Sequence, residues 1–573
     1  NYTRFQVYMD ALDFDCSPDH CKPMLSDTPP ILGKIPYFKG SAILNLLSNV
    51  MSPETLQKGL RRYIKKNVNG VSNAEDLWAS LTEVCAEDGV KDWDGKNLDV
   101  SVLMKEWSYG TSFPILKASA TRQGQVTYEL DACLGNISDW KIPVFRGDGK
   151  SEKLLWFTGK NGTSPEFFPY LPLYAIDNVR ASSFLRMQYD DLCWADMLQN
   201  LKTAAKDYET QGQLLSDALF FARKGVYKWP KFLDLVHAIN WEPSLTQWRV
   251  AFSFMDTFYH KFRYHFEFDM IKKFMMALTR KVDRQIGLLD QTKWEIQLST
   301  GSAATGPHVS DRPRIVPRAG QLRFPKLRRT MRSFSSWYCQ MCRVGGRAFH
   351  RPGFKRISGL VIEFSVPPDY RQSMYCYGLR QNPKSIEVVE SMWKYFAEEA
   401  IYFNRDGEKL LHAMSCINDT SKLNGYINSA LSGDLPETII QYIGDNEVTG
   451  QLLFDHLNKN LKKVLRVDAE IAFTRRIIMS SPTEAMPAMI QCTDIVIWGN
   501  VNFDNYVDAM TRDWSTDGHL EKLMHFKYNP LFKVLNEEQK KTWDKAIRKV
   551  VTNRKWLAEN AASIVDWIDA HYI

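Results

Sequence analysis

From about residue 205 to the C-terminus, apolar side chains recur at helical spacing, and no alternating stretch interrupts them. Leu214, Leu215, Ala218, Leu219 and Ala222 form one such face; Trp556, Leu557, Ile564 and Trp567 form one of the last. A helix with one apolar stripe must bury it against another element. Roughly 370 residues of such helices, with no strand to pack on, predict a stacked helical array. No fixed sequence period is found, so a regular repeat is not established. A chain of 573 residues also exceeds one compact core and implies two to four domains.

The preceding sequence reads differently. Residues 1 to about 112 read as loop, then helices. Apolar residues continue after Tyr37 and Gly40 through Ile43, Leu44, Leu46 and Leu47. Ser52-Pro53-Glu54 places a serine cap and a first-turn proline before the next helix. Ser72 to Glu75 has the capping-box pattern, and a short third helix runs to about Trp107. Near Phe113 the period changes. Val126, Tyr128, Leu130 and Ala132 alternate with polar residues, and short apolar runs follow at Ile142-Pro143-Val144 and Leu154 to Phe157. The stretch 113–204 is therefore predicted to be a small β-sandwich, within a fold that is mainly α.

The net charge of +7 conceals a local anomaly. Between Asp311 and Glu363 there is no acidic residue in 51 positions, while 13 Lys and Arg lie from Arg312 to Arg356. The remainder has 60 basic and 66 acidic residues, a net of −6, so one segment supplies the whole excess. No run of 18 apolar residues marks a membrane span. The chain starts at Asn1 without a signal peptide, which reads as a mature product or a fragment. Ten cysteines are too few for a disulfide-scaffolded fold of this length. Sequons occur at Asn1, Asn136, Asn161 and Asn418 and permit glycosylation of a secreted chain.

Candidate chemistry is sparse. There is no H-E-x-x-H, P-loop, G-x-S-x-G or paired dinucleotide motif. His260 and His265 are five residues apart, which does not place both rings on one helix face; solvated histidines are the expected state. Cys339 and Cys342 form a C-x-x-C without a second pair, leaving chance, a redox pair or half a metal site open. The basic run, interleaved with Phe324, Phe334, Trp337, Tyr338, Phe349 and Phe354, reads as a solvated loop, as sequence foreign to the fold, or as a nucleic-acid surface. No nucleic-acid partner is expected. Tyr37 alone is one of 24 tyrosines and would be read as core packing. Its neighbourhood changes that reading.

IPYFKGSAIL, LRRYIKK, SNAEDLWASL and MKEWSYGTSFPIL, in this order and spacing, resemble the zinc aminopeptidases of the aminopeptidase N and puromycin-sensitive aminopeptidase group. Trp140 to Pro143 resembles that family's W-x-I-P strand, and NVRASSFLRMQYDDLCW its N-x-x-x-x-G-x-Y-R-V-N-Y-D signature. Asn178, Arg186, Tyr189 and Asp190 agree with the signature; Ser183 stands in its glycine slot and Leu185 in its first tyrosine slot. VPPDYRQSMYC, Asn446, Gly450, Asn460, Trp556-Leu557, Glu559-Asn560 and Trp567 continue the match. It covers most of the chain except 300–360, which reads as an insertion or an erroneous gene model.

The resemblance implies a helical tail of a thermolysin-like catalytic domain at 1–112. It implies a small β-sandwich at 113–204 and a large HEAT- or armadillo-like superhelical domain at 205–573. It implies that Tyr37 is the catalytic tyrosine, donating a hydrogen bond to the oxyanion as water attacks the scissile carbonyl. Zn2+ is the implied cofactor of the intact enzyme. Its ligands and the general base are expected before Asn1, so the chain alone is expected to be inactive. Peptides are the implied substrates, membrane attachment would come only through an upstream anchor, and a homodimer is allowed. Cys376 and Cys416 sit where extracellular members carry a disulfide, and a secreted or plasma-membrane location is favoured over a cytoplasmic one. The alternative is a non-catalytic peptide- or protein-binding pseudoenzyme built on the helical domain.

Overall fold

The computed structural model describes residues 2–17, 21–26, 34–120, 126–135, 140–158, 175–201, 205, 207–241, 244–286, 372, 375–376, 378–380, 382–398, 406–446, 451–465 and 502–572. The acid-free run, the Cys339–Cys342 pair and the sequons at Asn1, Asn136 and Asn161 lie outside these residues. The chain is mainly helical, with small sheets, and divides into two compact units, Asn1–Phe254 and Met255–Ile573.

The first unit opens with α1 (Tyr2–Asp15), where the sequence reads as loop. Phe5, Tyr8, Met9 and Leu12 recur every three or four residues and are all buried, so tertiary packing holds the helix. Four helices follow: α2 (Lys34–Met51), α3 (Pro53–Lys66), α4 (Ala74–Asp88) and α5 (Val100–Tyr109). Pro36 lies in the first turn of α2, where its missing N–H breaks no intrahelical bond. Ser52 caps α3 by accepting from the Thr55 N–H at 3.2 Å. The cap of α4 lies one residue beyond the sequence pattern. Asn73 accepts from the Asp76 N–H, and Asp76 from the Asn73 N–H, both at 3.0 Å. Ser72 instead bonds the Tyr63 hydroxyl, and Glu75 accepts from Tyr109, each at 2.6 Å. Spacing alone could not separate two cap frames one residue apart.

Six strands follow: β1 (Pro114–Ala120), β2 (Val126–Ala132), β3 (Lys141–Gly147), β4 (Glu152–Thr158), β5 (Ile176–Asp177) and β6 (Arg186–Tyr189). They form two three-stranded sheets, ordered β2-β1-β6 and β4-β3-β5. All pairings are antiparallel except β1 with β6. Tyr128 of one sheet meets Phe157 of the other with ring centres 4.9 Å apart. Beside them lies the buried Arg146–Asp177 pair, at 2.8 Å. A helix, α6 (Asp191–Gln199), intrudes into the stretch read as strands because Asp190 accepts from the Cys193 N–H at 2.8 Å and starts it. Then come α7 (Tyr208–Arg223), α8 (Trp229–Ala238) and α9 (Leu245–Phe262), which crosses the boundary between the units.

The second unit contains α10 (Phe268–Ile286), α11 (Ile386–Glu398), α12 (Gly407–Met414), α13 (Thr420–Ser432) and α14 (Thr438–Asp445). After a helical stretch at 452–465 come α15 (Phe503–Thr511), α16 (Asp517–Lys527) and α17 (Glu537–Tyr572). Leu410, Ile427, Ile440, Leu457, Tyr506 and Trp543 belong to one continuous core in this unit. No strand occurs among its described residues. Among the described residues, no helix is long and apolar enough to cross a membrane.

Candidate active-site segment

Tyr37 occupies the first turns of α2 and is 63% exposed. Ser41 and Leu44 share its exposed face, while Ile35, Ala42, Ile43, Leu46 and Leu47 are buried on the other. Two residues beyond Tyr37, and therefore about 200° around the helix, Lys39 points inward and is completely buried. Its ammonium has three donors and three acceptors. Asp15, the last residue of α1, lies at 3.0 Å, and the carbonyls of Gly110 and Ser112 accept at 3.1 Å each. The face of Trp140 lies 5.9 Å away. Burial pushes the Asp15 carboxyl up, opposed by the charge and hydrogen bonds of Lys39 and the Ser112 backbone.

The turn supplying both carbonyls is strained. Ser112 has φ 70°, left-handed for a residue with a side chain. Its hydroxyl accepts from the Leu134 N–H at 2.8 Å. Next to Leu134, Cys133 is disulfide-bonded to Cys16, with Cα atoms 5.7 Å apart. Cys16 in turn follows Asp15, so the bridge flanks the lysine's acceptors from both sides. The sequence offered no sign of this pair, whose members are 117 residues apart. Cys21 remains free beside them, its thiol pushed up by burial and by the Asp15 charge.

The stretch from Asn178 to Tyr189 holds another buried polar network of the first unit. Asn178, Arg180 and Ala181 have φ of 59°, 55° and 52°. Asn178 accepts from the Ser183 N–H at 2.8 Å and donates to the Ser183 carbonyl at 3.1 Å, closing the loop on itself. Ser183 donates its hydroxyl to the Pro143 carbonyl, so the serine in a glycine slot is satisfied. The Leu185 carbonyl accepts from Tyr8 at 2.7 Å, tying the loop to α1. Arg186 is buried between Asp217 and Asp13, each at 3.0 Å, with its guanidinium 4.5 Å from the centre of the Phe220 ring.

In the second unit, Cys376 and Cys416 are joined, with Cα atoms 5.4 Å apart. The ligand atoms of Cys376, His412 and Cys416 lie within 4.8 Å of one another, the one such His/Cys/Asp/Glu group among the described residues. Two of the three are sulfurs bonded to each other, leaving the His412 imidazole as a single donor. Burial lowers that imidazole's pKa to about 4. This donor set does not fit a hydrolytic zinc, which needs three protein ligands and an open position. Asn418 is exposed immediately before α13, whose cap is Asp419. The histidines at 260 and 265 are not simply solvated. His260 lies with Nδ1 2.7 Å from Asp513 and Nε2 3.3 Å from Asp256. Burial opposes its protonation, but the two carboxylates outweigh it and push its pKa up to about 10.

Comparison with known proteins assigns this arrangement to a family. A profile described as the ERAP1-like C-terminal domain matches residues 176–546, more than half of the chain. One described as the peptidase family M1 domain matches residues 6–107, a segment that begins within α1 and holds Asp15, Lys39 and Tyr37. The chain belongs to peptidase family M1. This M1 chain is 28% identical over 583 residues to a putative aminopeptidase-2 of Caenorhabditis elegans, covering 100% of the chain and 28% of that protein. It is 21% identical over 456 residues to a membrane alanyl aminopeptidase of Manduca sexta, covering 74% and 42%. It is 19% identical over 562 residues to aminopeptidase Ey of Gallus gallus, covering 94% and 51%. The chain thus spans about a quarter to half of the length of these M1 relatives, as a partial, C-terminal portion.

Proposed function

We propose that this chain is the C-terminal portion of a zinc-dependent aminopeptidase that removes N-terminal residues from peptides, and that Tyr37 stabilises the oxyanion of the reaction. The observation that carries the reading is Tyr37 itself. It lies inside the M1-matching segment, with its ring outward while its own turn of helix is anchored by a buried charge. A phenol is a neutral donor at working pH, because its ordinary pKa is about 10. A fixed donor is worth most where negative charge grows on the attacked carbonyl oxygen. In this reading, zinc bound elsewhere in the protein would supply the activated water.

Under the same proposal, residues 1–112 are the tail of a thermolysin-like domain, 113–204 a small sandwich and 205–573 a HEAT- or armadillo-like array. An extracellular setting agrees with the Cys16–Cys133 and Cys376–Cys416 bridges and with the exposed sequon asparagine Asn418. The test expresses the full-length parent and offers aminoacyl fluorogenic substrates with and without a chelator. Release should be chelator-sensitive. Tyr37→Phe should fold normally and lose about a hundredfold or more in kcat, the typical cost of one oxyanion donor. Absence of chelator-sensitive release ends the reading as an enzyme; undiminished kcat in Tyr37→Phe ends the role of the hydroxyl.

A further inference from the structure

Lys39 is an unusual residue to bury at the start of a helix. An apolar side chain of similar length would fill the same space without desolvating an ammonium and a carboxylate. Buried ion pairs are seldom a net source of stability, since the desolvation cost rivals the attraction. What such a pair provides is direction. The ion pair and two hydrogen bonds of Lys39 join the first turns of α2 to the end of α1 and to the strained Gly110–Ser112 turn. The Cys16–Cys133 bridge keeps two of those acceptors, Asp15 and Ser112, in place. Because Lys39 and Tyr37 are separated by two positions on one helix, a roll or shift of α2 that displaces Tyr37 also pulls on the contacts of Lys39. The backbone that carries the outward Tyr37 ring is thereby held in azimuth and height.

We propose that Lys39, held by Asp15, is a positioning residue for Tyr37: the pair sets the register of α2 so that the phenol reaches the oxyanion. This rests on the reading of Tyr37 given above. Misplacing a catalytic group by about 1 Å can cost about a hundredfold, so the effect belongs in kcat rather than in substrate binding.

The experiment uses the full-length parent and replaces both partners, Lys39→Met with Asp15→Leu, so that no uncompensated charge is left. Melting temperature, kcat and KM are measured in the Tyr37 and Tyr37→Phe backgrounds, together with hydrogen exchange of the amides of residues 35–40 other than Pro36. The expected result is a fold that melts no lower, KM within about twofold, and kcat reduced about 10- to 100-fold. Exchange at 35–40 should be faster, and the double replacement should cause no further loss once Tyr37 is Phe. A merely structural pair would lower kcat by the same factor in both backgrounds, which overturns the proposal. So does an unchanged kcat in the apolar-pair variant when Tyr37→Phe alone is crippled. An undiminished Tyr37→Phe enzyme would instead overturn the reading of Tyr37 and carry this proposal with it. Should the double replacement fail to fold, the neutral polar pair Lys39→Gln with Asp15→Asn enters the same comparison, with the same outcomes deciding.

Discussion

Arg186 shows what a buried charge demands of its surroundings. Its guanidinium bonds Asp217 and Ser216 at 3.0 Å and Asp13 at the same distance, and it lies across the Phe220 ring. Asp217 also accepts from the Met187 N–H at 3.0 Å, so the carboxylate is committed on several sides. Arg186→Ala removes the cation and leaves Asp217 buried without it. Breaking one partner of a buried pair costs about 3–5 kcal/mol, and urea unfolding should show that loss as a lower midpoint of the first unit's transition. The residue was legible as a motif position, but not its partners: they come from α1 and α7, 173 and 31 residues away. The same holds for Lys39. Its neighbour Tyr37 could be singled out by resemblance, whereas the buried anchor beside it became visible only with Asp15, Gly110 and Ser112 in place.

Among the elements, helix-helix contacts are tightest where a side chain is absent. In α14, a Cβ built on Gly444 would meet the Ala509 carbonyl oxygen of α15, and the Ala509 carbonyl carbon at 3.0 Å. Backbone cannot swing aside as a flexible side chain can. Gly444→Ala should therefore force α14 and α15 apart and destabilise the second unit by about 1–3 kcal/mol, the usual cost of overpacking. Thermal melting of the purified chain checks it, and a melting temperature equal to the parent's would show that the helices can separate freely. Helices in this unit were readable from their apolar spacing. The frame of the α4 cap, α1 and α6 were not. In each case several local choices were nearly equal, and contacts with distant residues or one side-chain acceptor selected among them.

At the scale of the whole molecule, pH acts on the second unit through His260. Folding places its imidazole between Asp256 and Asp513, with Arg263 also bonded to Asp513. Its folded pKa of about 10 lies above the ordinary 6.5, so the folded state holds a proton that the unfolded chain releases. The contribution is complete below about pH 6.5 and is lost as pH rises through about 10. Melting temperature should fall across that window more steeply in the parent than in His260→Gln, and parallel curves would exclude the histidine as the source. The amino-acid sequence by itself determined that the chain is mainly helical, that strands interrupt it after Phe113, and which family it belongs to. Those properties follow from local periodicity and from short ordered motifs, which survive without knowledge of distant contacts. Only the tertiary structure decided that Cys16 bonds Cys133, that Lys39 is an interior cation, and that His260 faces two carboxylates. Each depends on at least one partner far away in the chain, Cys133, Asp15 or Asp513, whose arrival is set by the packing of whole elements, whereas Asp256 lies only four residues before His260 on the same helix.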